Sequence, residues 1–336
     1  MGAALCLVSA ACFGAMAIFG KLAYDAGVSP GSLLLVRFTL AAAALGAVLL
    51  ARPGLRRPTS GPPPGHPAMT RTRVLAIAVG LGAIGYATQA SLFFSALQLM
   101  DASLLALILY TYPAMVTVAA VLLGRDRLTP TRVAALTAAS TGTLLVLLGA
   151  GGVSFHPAGA LLALASAVTY TAYILVADTV VHRLAPLTLS ALVMTGAAGT
   201  LAARALLTGG VDLDFGAAGW FWLACIAVIS TVVAMLTFFA GLQRTGPSTA
   251  AILSTFEPVV TSALAALVLG ESLTPVQLAG GALVLSSVAV LQLRRRAGIR
   301  EGSSRPTGSG TRRHGRIHAF DETVRPPDAA PRKIIA

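Results

Sequence analysis

The chain has 336 residues, of which 56% are apolar and only 11% charged, and its net charge is +12. A soluble domain carries about 25% charged residues, so an ordinary globular protein is excluded. A net +7 of that charge sits after Leu293, and most of the rest sits in two loops, a distribution that suits cytoplasmic membrane loops better than a nucleic-acid interface.

A helix needs about 20 apolar residues to cross the hydrocarbon of a bilayer. Ten stretches meet that need: Ala3–Ala23, Ser32–Leu50, Val74–Leu97, Ala102–Leu123, Arg132–Gly149, Pro157–Ala177, Pro186–Leu207, Gly216–Gly241, Ser248–Leu269 and Pro275–Leu293. The first lacks a preceding basic region and is too long for a signal-peptide core, so it is taken as a span. Between the second and third, residues 52–73 hold Pro53, Pro58, Pro62, Pro63, Pro64 and Pro67 and predict an extended cytoplasmic linker. The tail, 294–336, is rich in Arg, Gly, Ser and Pro and predicts a disordered basic segment that fixes topology or is drawn to anionic lipid.

With the amino terminus inside, Arg52, Arg56, Arg57, Arg71, Arg73, Arg125, Arg127, Arg132, Arg183 and Arg244 all fall on the cytoplasmic side, while the outer side holds Lys21 and Arg204. Short loops rich in Lys and Arg stay inside, which predicts that both termini are cytoplasmic. Trp220 and Trp222 then lie at the outer interface, and Asp178 lies in water near the cytoplasmic end of the sixth span.

The chain repeats itself. Phe93, Phe94, Leu97 and Gln98, followed by Tyr112-Pro113, match Phe238, Phe239, Leu242 and Gln243, followed by Glu257-Pro258, at an offset of 145 residues. Each copy runs on to a Leu-Thr-Pro, at Leu128 and at Leu273. A duplicated unit with an odd number of spans places its copies in opposite orientations, a common plan for a carrier with a central site. The predicted fold is all-α and integral to the membrane: ten transmembrane helices as two inverted five-helix repeats, 1–149 and 150–293.

Glu257 lies about 14 Å into the ninth span at about 1.5 Å per residue. An ionisable group at that depth is costly and by default functional. It either exchanges a proton or binds a substrate cation; the structural alternative is a permanent pairing with Arg37, Lys21 or a hydroxyl. Pro258 and its mate Pro113 each remove a backbone donor and free a carbonyl, at Ser254 and Leu109. Two kinks in matching positions mark a central site. Tyr110 and Tyr112 point to different sides of a helix, so at most one reaches a given cavity, and Tyr112 aligns with Glu257. Tyr86, Gln89 and Phe93 share a face of the third span, and Tyr170 and Tyr173 form a similar pair in the sixth; each is either a substrate contact or a helix–helix contact. Arg37 lies about one turn inside the second span, where it snorkels as an anchor or, facing a pore, selects anions. Thr231, Met235 and Thr237 add weaker polarity to the eighth span. Gly80, Gly82, Gly85, Gly196, Gly199, Gly280 and Gly281 allow close helix contact.

His66, His156, His182, His314 and His318 show no ligand spacing, so neither a metal nor another cofactor is predicted. Cys6, Cys12 and Cys225 lie in apolar stretches as small buried residues. No phosphate-binding loop or hydrolytic triad is evident, which disfavours an ATP-driven pump or a hydrolase.

Tyr110-Thr111-Tyr112-Pro113 followed by Gly124 and Leu128-Thr129, Phe256-Glu257-Pro258 followed by Gly270-Glu271-Ser272-Leu273-Thr274, Arg37-Phe38 and Lys21 together resemble the EamA-type members of the drug/metabolite transporter superfamily. The resemblance covers Gly2–Leu293. Gly124-Arg125-Asp126-Arg127 departs from the Gly-Glu usual in the family. The resemblance implies a secondary carrier, not an enzyme, for a small metabolite such as an amino acid-like solute. It further implies alternating access across the bacterial inner membrane, in the export direction, with proton coupling as one option. Partners are then the solute and membrane lipid, with no nucleic acid, and the protein is a monomer or a homodimer. The alternatives are a membrane enzyme on a lipid-linked substrate and a non-transporting scaffold.

Overall fold

The computed structural model describes residues 1–56, 69–97, 99, 105, 108–149, 156–269 and 274–287. The chain divides into residues 1–296 and 297–336, so the predicted tail, most of the Pro-rich linker, Asp101, Gln98, Glu271 and the end of the tenth span lie outside the described residues.

All regular structure among the described residues is helical: α1 (Gly2–Asp25), α2 (Pro30–Ala51), α3 (Arg71–Gly80), α4 (Ala87–Leu97), α5 (Tyr112–Leu122), α6 (Pro130–Gly149), α7 (Pro157–Val181), α8 (Pro186–Leu207), α9 (Ala217–Ala227), α10 (Ala234–Thr245), α11 (Pro247–Ser254), α12 (Glu257–Leu269) and α13 (Pro275–Ser287). A π-helical turn, Leu81–Tyr86, joins α3 to α4, and another, Val228–Val233, joins α9 to α10. Among the described residues, eight helical stretches are long and apolar enough to cross a membrane, with α11 and α12 together making one of them; α5 and α13 are apolar but shorter. The molecule is an all-α, multi-helix, membrane-spanning protein.

Helix starts follow the sequence closely. Pro30, Pro157, Pro186 and Pro247 occupy the first turn of their helices, where a missing N–H costs nothing. Ser29 caps α2 by accepting from the Ser32 amide at 3.2 Å. Gly246, at φ +79°, provides the left-handed turn that lets α11 follow α10 directly.

Packing is reciprocal. α1 lies chiefly against α9, α10 and α12 and barely touches α2, while α7 lies against α4; α2 pairs with α8, and α5 with α11. The first helix of each half of the chain thus rests on the third long helix of the other half. Close approach depends on several glycines, Gly82, Gly196 and Gly280 among them. A Cβ on Gly82 would run into the Val193 carbonyl, one on Gly196 into the Val79 carbonyl, and one on Gly280 would lie 2.6 Å from the Gly142 carbonyl. Gly80 and Gly199 have open space around them, so those two are not packing devices.

Asp178 is not in water. It is 8% exposed and meets Arg125 at 3.9 Å, while Arg125 also donates to the Leu175 carbonyl at 2.6 Å. A buried carboxylate requires such a partner, and no local pattern marks that the loop before α6 folds back onto α7.

Candidate functional site: a central cavity

Two helix breaks frame the site. Between residue 109 and α5 the chain turns at Tyr110-Thr111, with the Thr111 amide bonding the Ile108 carbonyl at 3.2 Å and the Met115 amide bonding the Thr111 carbonyl at 3.2 Å. Between α11 and α12 the Phe256 amide bonds the Leu253 carbonyl at 3.2 Å and the Val260 amide bonds the Phe256 carbonyl at 3.2 Å. Each pair of bonds repeats at the 145-residue offset. The prolines act as the sequence implies: Pro113 and Pro258, both buried, cannot continue the helical ladder, so the turn before each is tightened.

A cavity of about 90 Å³ opens beside these breaks. Phe13 and Met16 come from α1, Arg37 from α2, Tyr86 from the π turn, and Gln89, Ala90, Phe93 and Phe94 from α4. Leu109, Tyr110 and Tyr112 come from the first break, Tyr170 from α7, and Glu257 from the second break. Of the seven predicted contact residues, Glu257, Tyr112, Gln89, Tyr86, Tyr170 and Arg37 therefore converge. Tyr173 does not line the cavity. It lies one layer behind, 2% exposed, stacked on Tyr86 at 5.6 Å and on Tyr170 at 6.0 Å. Small-ligand pockets are commonly ~300–1,000 Å³, so this conformation holds several waters or a very small solute, and a larger one requires the walls to part.

Tyr110 corrects the expectation drawn from helical geometry. Both Tyr110 and Tyr112 line the cavity, because the intervening turn is not α-helical and the rule that residues two apart face away does not apply. The Tyr110 hydroxyl faces the Glu257 carboxyl, and the Tyr112 hydroxyl faces Ser254. Tyr112 packs edge-on to Tyr170 at 4.7 Å.

Arg37 is likewise not a snorkelling anchor. α2 begins at Pro30, so Arg37 lies two turns in, about 10 Å at ~1.5 Å per residue, and is only 2% exposed. Its Nε donates to Thr231 Oγ1 at 2.9 Å and its Nη2 to the Tyr86 hydroxyl at 2.8 Å. The guanidinium also lies 4.8 Å from the Phe38 ring centroid and 5.9 Å from that of Tyr86. Arg37 and Glu257 share the cavity without an ion pair within 4.0 Å, so the carboxyl is not locked to that cation. Thr231 carries more than the weak polarity read from sequence; the signal that could have found it is its 145-residue offset from Tyr86.

Gln89 is held by α7. Its Nε2 donates to Ser166 Oγ at 3.2 Å, and that hydroxyl donates to the Gln89 carbonyl at 3.2 Å. Ser166→Ala removes both bonds. Because the freed amide faces a cavity that admits water, the expected loss lies near the low end for an unpaired buried group, about 1 kcal/mol, measurable as unfolding of the detergent-solubilised protein.

On one side of the cavity the helices close. Cys6, Tyr173, Phe238, Phe239, Leu242 and Leu253 are each at most 2% exposed and belong to one apolar cluster. Among the described residues no group of three or more His, Cys, Asp or Glu could hold a metal ion, and Cys6, Cys12 and Cys225 form no disulfide.

The sequence profile of a family described as the EamA-like transporter family matches residues 1–148 and again 157–293. An uncharacterized transporter of Bacillus subtilis (strain 168), YcbK, is 28% identical over 289 residues, covering 83% of this chain and 88% of that protein. An uncharacterized transporter of Archaeoglobus fulgidus is 27% identical over 213 residues, covering 63% of this chain and 74% of that protein. One crystal structure superposes with a TM-score of 0.72 at 22% identity, covering 88% of this chain and 98% of that one, a likeness of fold.

Proposed function

This chain belongs to the EamA-like transporter family and moves small solutes across a membrane, and we propose that it does so as a secondary carrier by alternating access around the cavity at Glu257. The observation that carries this reading is the convergence of Arg37, Tyr86, Gln89, Tyr112, Tyr170 and Glu257, from helices of both halves of the chain, on one partly open cavity closed beneath by an apolar cluster. A site shared between two halves can be exposed to either face by rocking one half against the other.

Two inverted five-helix repeats, 1–149 and 150–293, are supported by the double family match, the equivalent helix breaks and the reciprocal packing of α1 and α7. α5 and α13 are then the described parts of the fourth and tenth spans. Cytoplasmic termini in a cell inner membrane follow from the placement of arginine. The cavity then faces outward, since Phe93 and Phe94 lie near the outer end of the α3–α4 span, and Cys6 and Phe239 lie toward the cytoplasm. The solute we assign is a small amino acid-like metabolite, moved outward, with Glu257 as the coupling group. The cavity residues named above all come from one chain, which fits a monomer.

The test has two parts. Cysteines introduced by Leu128→Cys and Thr274→Cys in a background lacking native cysteines should label from opposite faces of the membrane with an impermeant maleimide. Labelling from the same face rejects the inverted repeat. Purified protein screened by thermal shift against a metabolite library should yield a stabilising solute whose flux into vesicles requires the protein and responds to an imposed pH gradient. A stabilising solute that is not transported rejects the carrier reading.

A further inference from the structure

Lining a cavity does not require Arg37 to make the two hydrogen bonds it makes. Its acceptors, Tyr86 and Thr231, stand 145 residues apart, the offset that relates Phe93 to Phe238 and Tyr112 to Glu257. Each also lies in a π-helical turn, Leu81–Tyr86 and Val228–Val233. Corresponding helices of the two halves are thus each loosened at one turn, and a single buried cation grips both there. π turns are rare and gather at functional sites because one carbonyl per turn is left to local adjustment. At Thr231 that adjustment is visible: its hydroxyl donates to the Ile226 carbonyl, five residues back, at 2.9 Å. The proton is used within the turn, and the oxygen's lone pair faces Arg37. Tyr86 is braced from behind by Phe38 at 5.2 Å and Tyr173 at 5.6 Å.

We propose that Arg37 is a positioning residue that straps the Leu81–Tyr86 turn to the Val228–Val233 turn, holding the conformation in which the cavity is open and the Cys6–Phe239 side is closed, and that its release is part of the change of state. The inference rests on the carrier reading above and adds the element that sets the balance between states. The strap needs a fork. Guanidinium has donors pointing in separate directions in one rigid plane, whereas a lysine ammonium is one point on a flexible stem. Replacing either acceptor, or the fork, undoes the same tie.

Cys6 reports the outcome without any solute. It is fully buried on the closed side, 3.7 Å from Thr245 Oγ1. In a Cys12→Ala, Cys225→Ala background in lipid nanodiscs, N-ethylmaleimide modification of Cys6 is followed by mass. Tyr86→Phe and Thr231→Val, both close in shape to the originals, should each speed modification about tenfold, the size of one hydrogen bond to a charged group. The double variant should be no faster than either single one, because one broken arm already frees the strap, and Arg37→Lys should match them. A cysteine placed at Ala139, fully buried in α6, should react at its unaltered rate in all four. Multiplicative rates in the double variant, a wild-type rate in Arg37→Lys, unchanged Cys6 rates, or equal acceleration at position 139 would each overturn the strap. A carrier lacking it would still pass the flux and topology tests.

Discussion

Glu257→Gln is expected to abolish accumulation driven by a pH gradient while leaving solute counterflow in place. Gln matches Glu in shape and keeps polar atoms facing the Tyr110 hydroxyl, so the cavity and its bound solute are preserved. What it lacks is an ionisable group, and a gradient can do work only through a group that carries a proton from one side to the other. Uptake under an imposed gradient should therefore fall to the level of protein-free vesicles. Exchange of labelled for unlabelled solute at equal pH, which needs no net proton movement, should persist. Glu257→Ala should lose both, because it also strips Tyr110 of its facing carboxyl. The measurement is initial rate in proteoliposomes, with the solute found by thermal shift. A Gln variant with an intact gradient response would remove Glu257 from coupling and leave it as a substrate contact.

Gly82→Ala should be the most damaging single-carbon change in the membrane core. The added Cβ meets the Val193 carbonyl oxygen and lies 2.6 Å from the Val193 carbonyl carbon, both of them backbone. No side chain can swing away, so α3 and α8 must separate or the π turn must shift. Overpacking of this kind costs ~1–3 kcal/mol, and Gly196→Ala, which meets Val79 and Ala83 across the same crossing, should cost a similar amount. Gly80→Ala and Gly199→Ala are the controls: nothing lies within 4 Å of either new carbon, and Ala is the better helix former by ~1 kcal/mol. Unfolding in mixed micelles should show both controls at least as stable as the parent. Equal destabilisation at all four positions would mean that the crossing between α3 and α8 is not the constraint.

The legible part of this protein is the part written in apolar runs and prolines. A multi-helix membrane fold follows from run length, and the candidate cavity lies beside Pro113 and Pro258, at equal offset and next to a carboxyl that has no reason to be in an apolar run. Where the reading failed, the deciding contact was remote or the backbone was irregular. For Arg37 the sequence leaves anchor and cavity residue open, because α2 starts two residues earlier than its apolar run and its partners lie 49 and 194 residues away. The helical rule that separates Tyr110 from Tyr112 is suspended by the break between them. Asp178 reads as wet from sequence because Arg125 arrives from another loop. The two π turns had no common mark: Gly80, Gly82 and Gly85 surround one, while the other is Val-Ile-Ser-Thr-Val-Val. A slip of one residue in backbone hydrogen bonding leaves no fixed trace in composition. Glycine content alone also did not separate Gly82 and Gly196, which are pressed against backbone, from Gly80 and Gly199, which are not.

The exchange of partners between α1 and α7 has a consequence for how the chain is made. α1 leaves the ribosome well before its main neighbour, α10, which begins roughly 230 residues later in the chain. At a synthesis rate of ~5–20 residues per second, the newborn α1 waits roughly 10–50 s in the bilayer with its packing face turned to lipid or to the insertion machinery. Its own half of the sequence cannot shelter it.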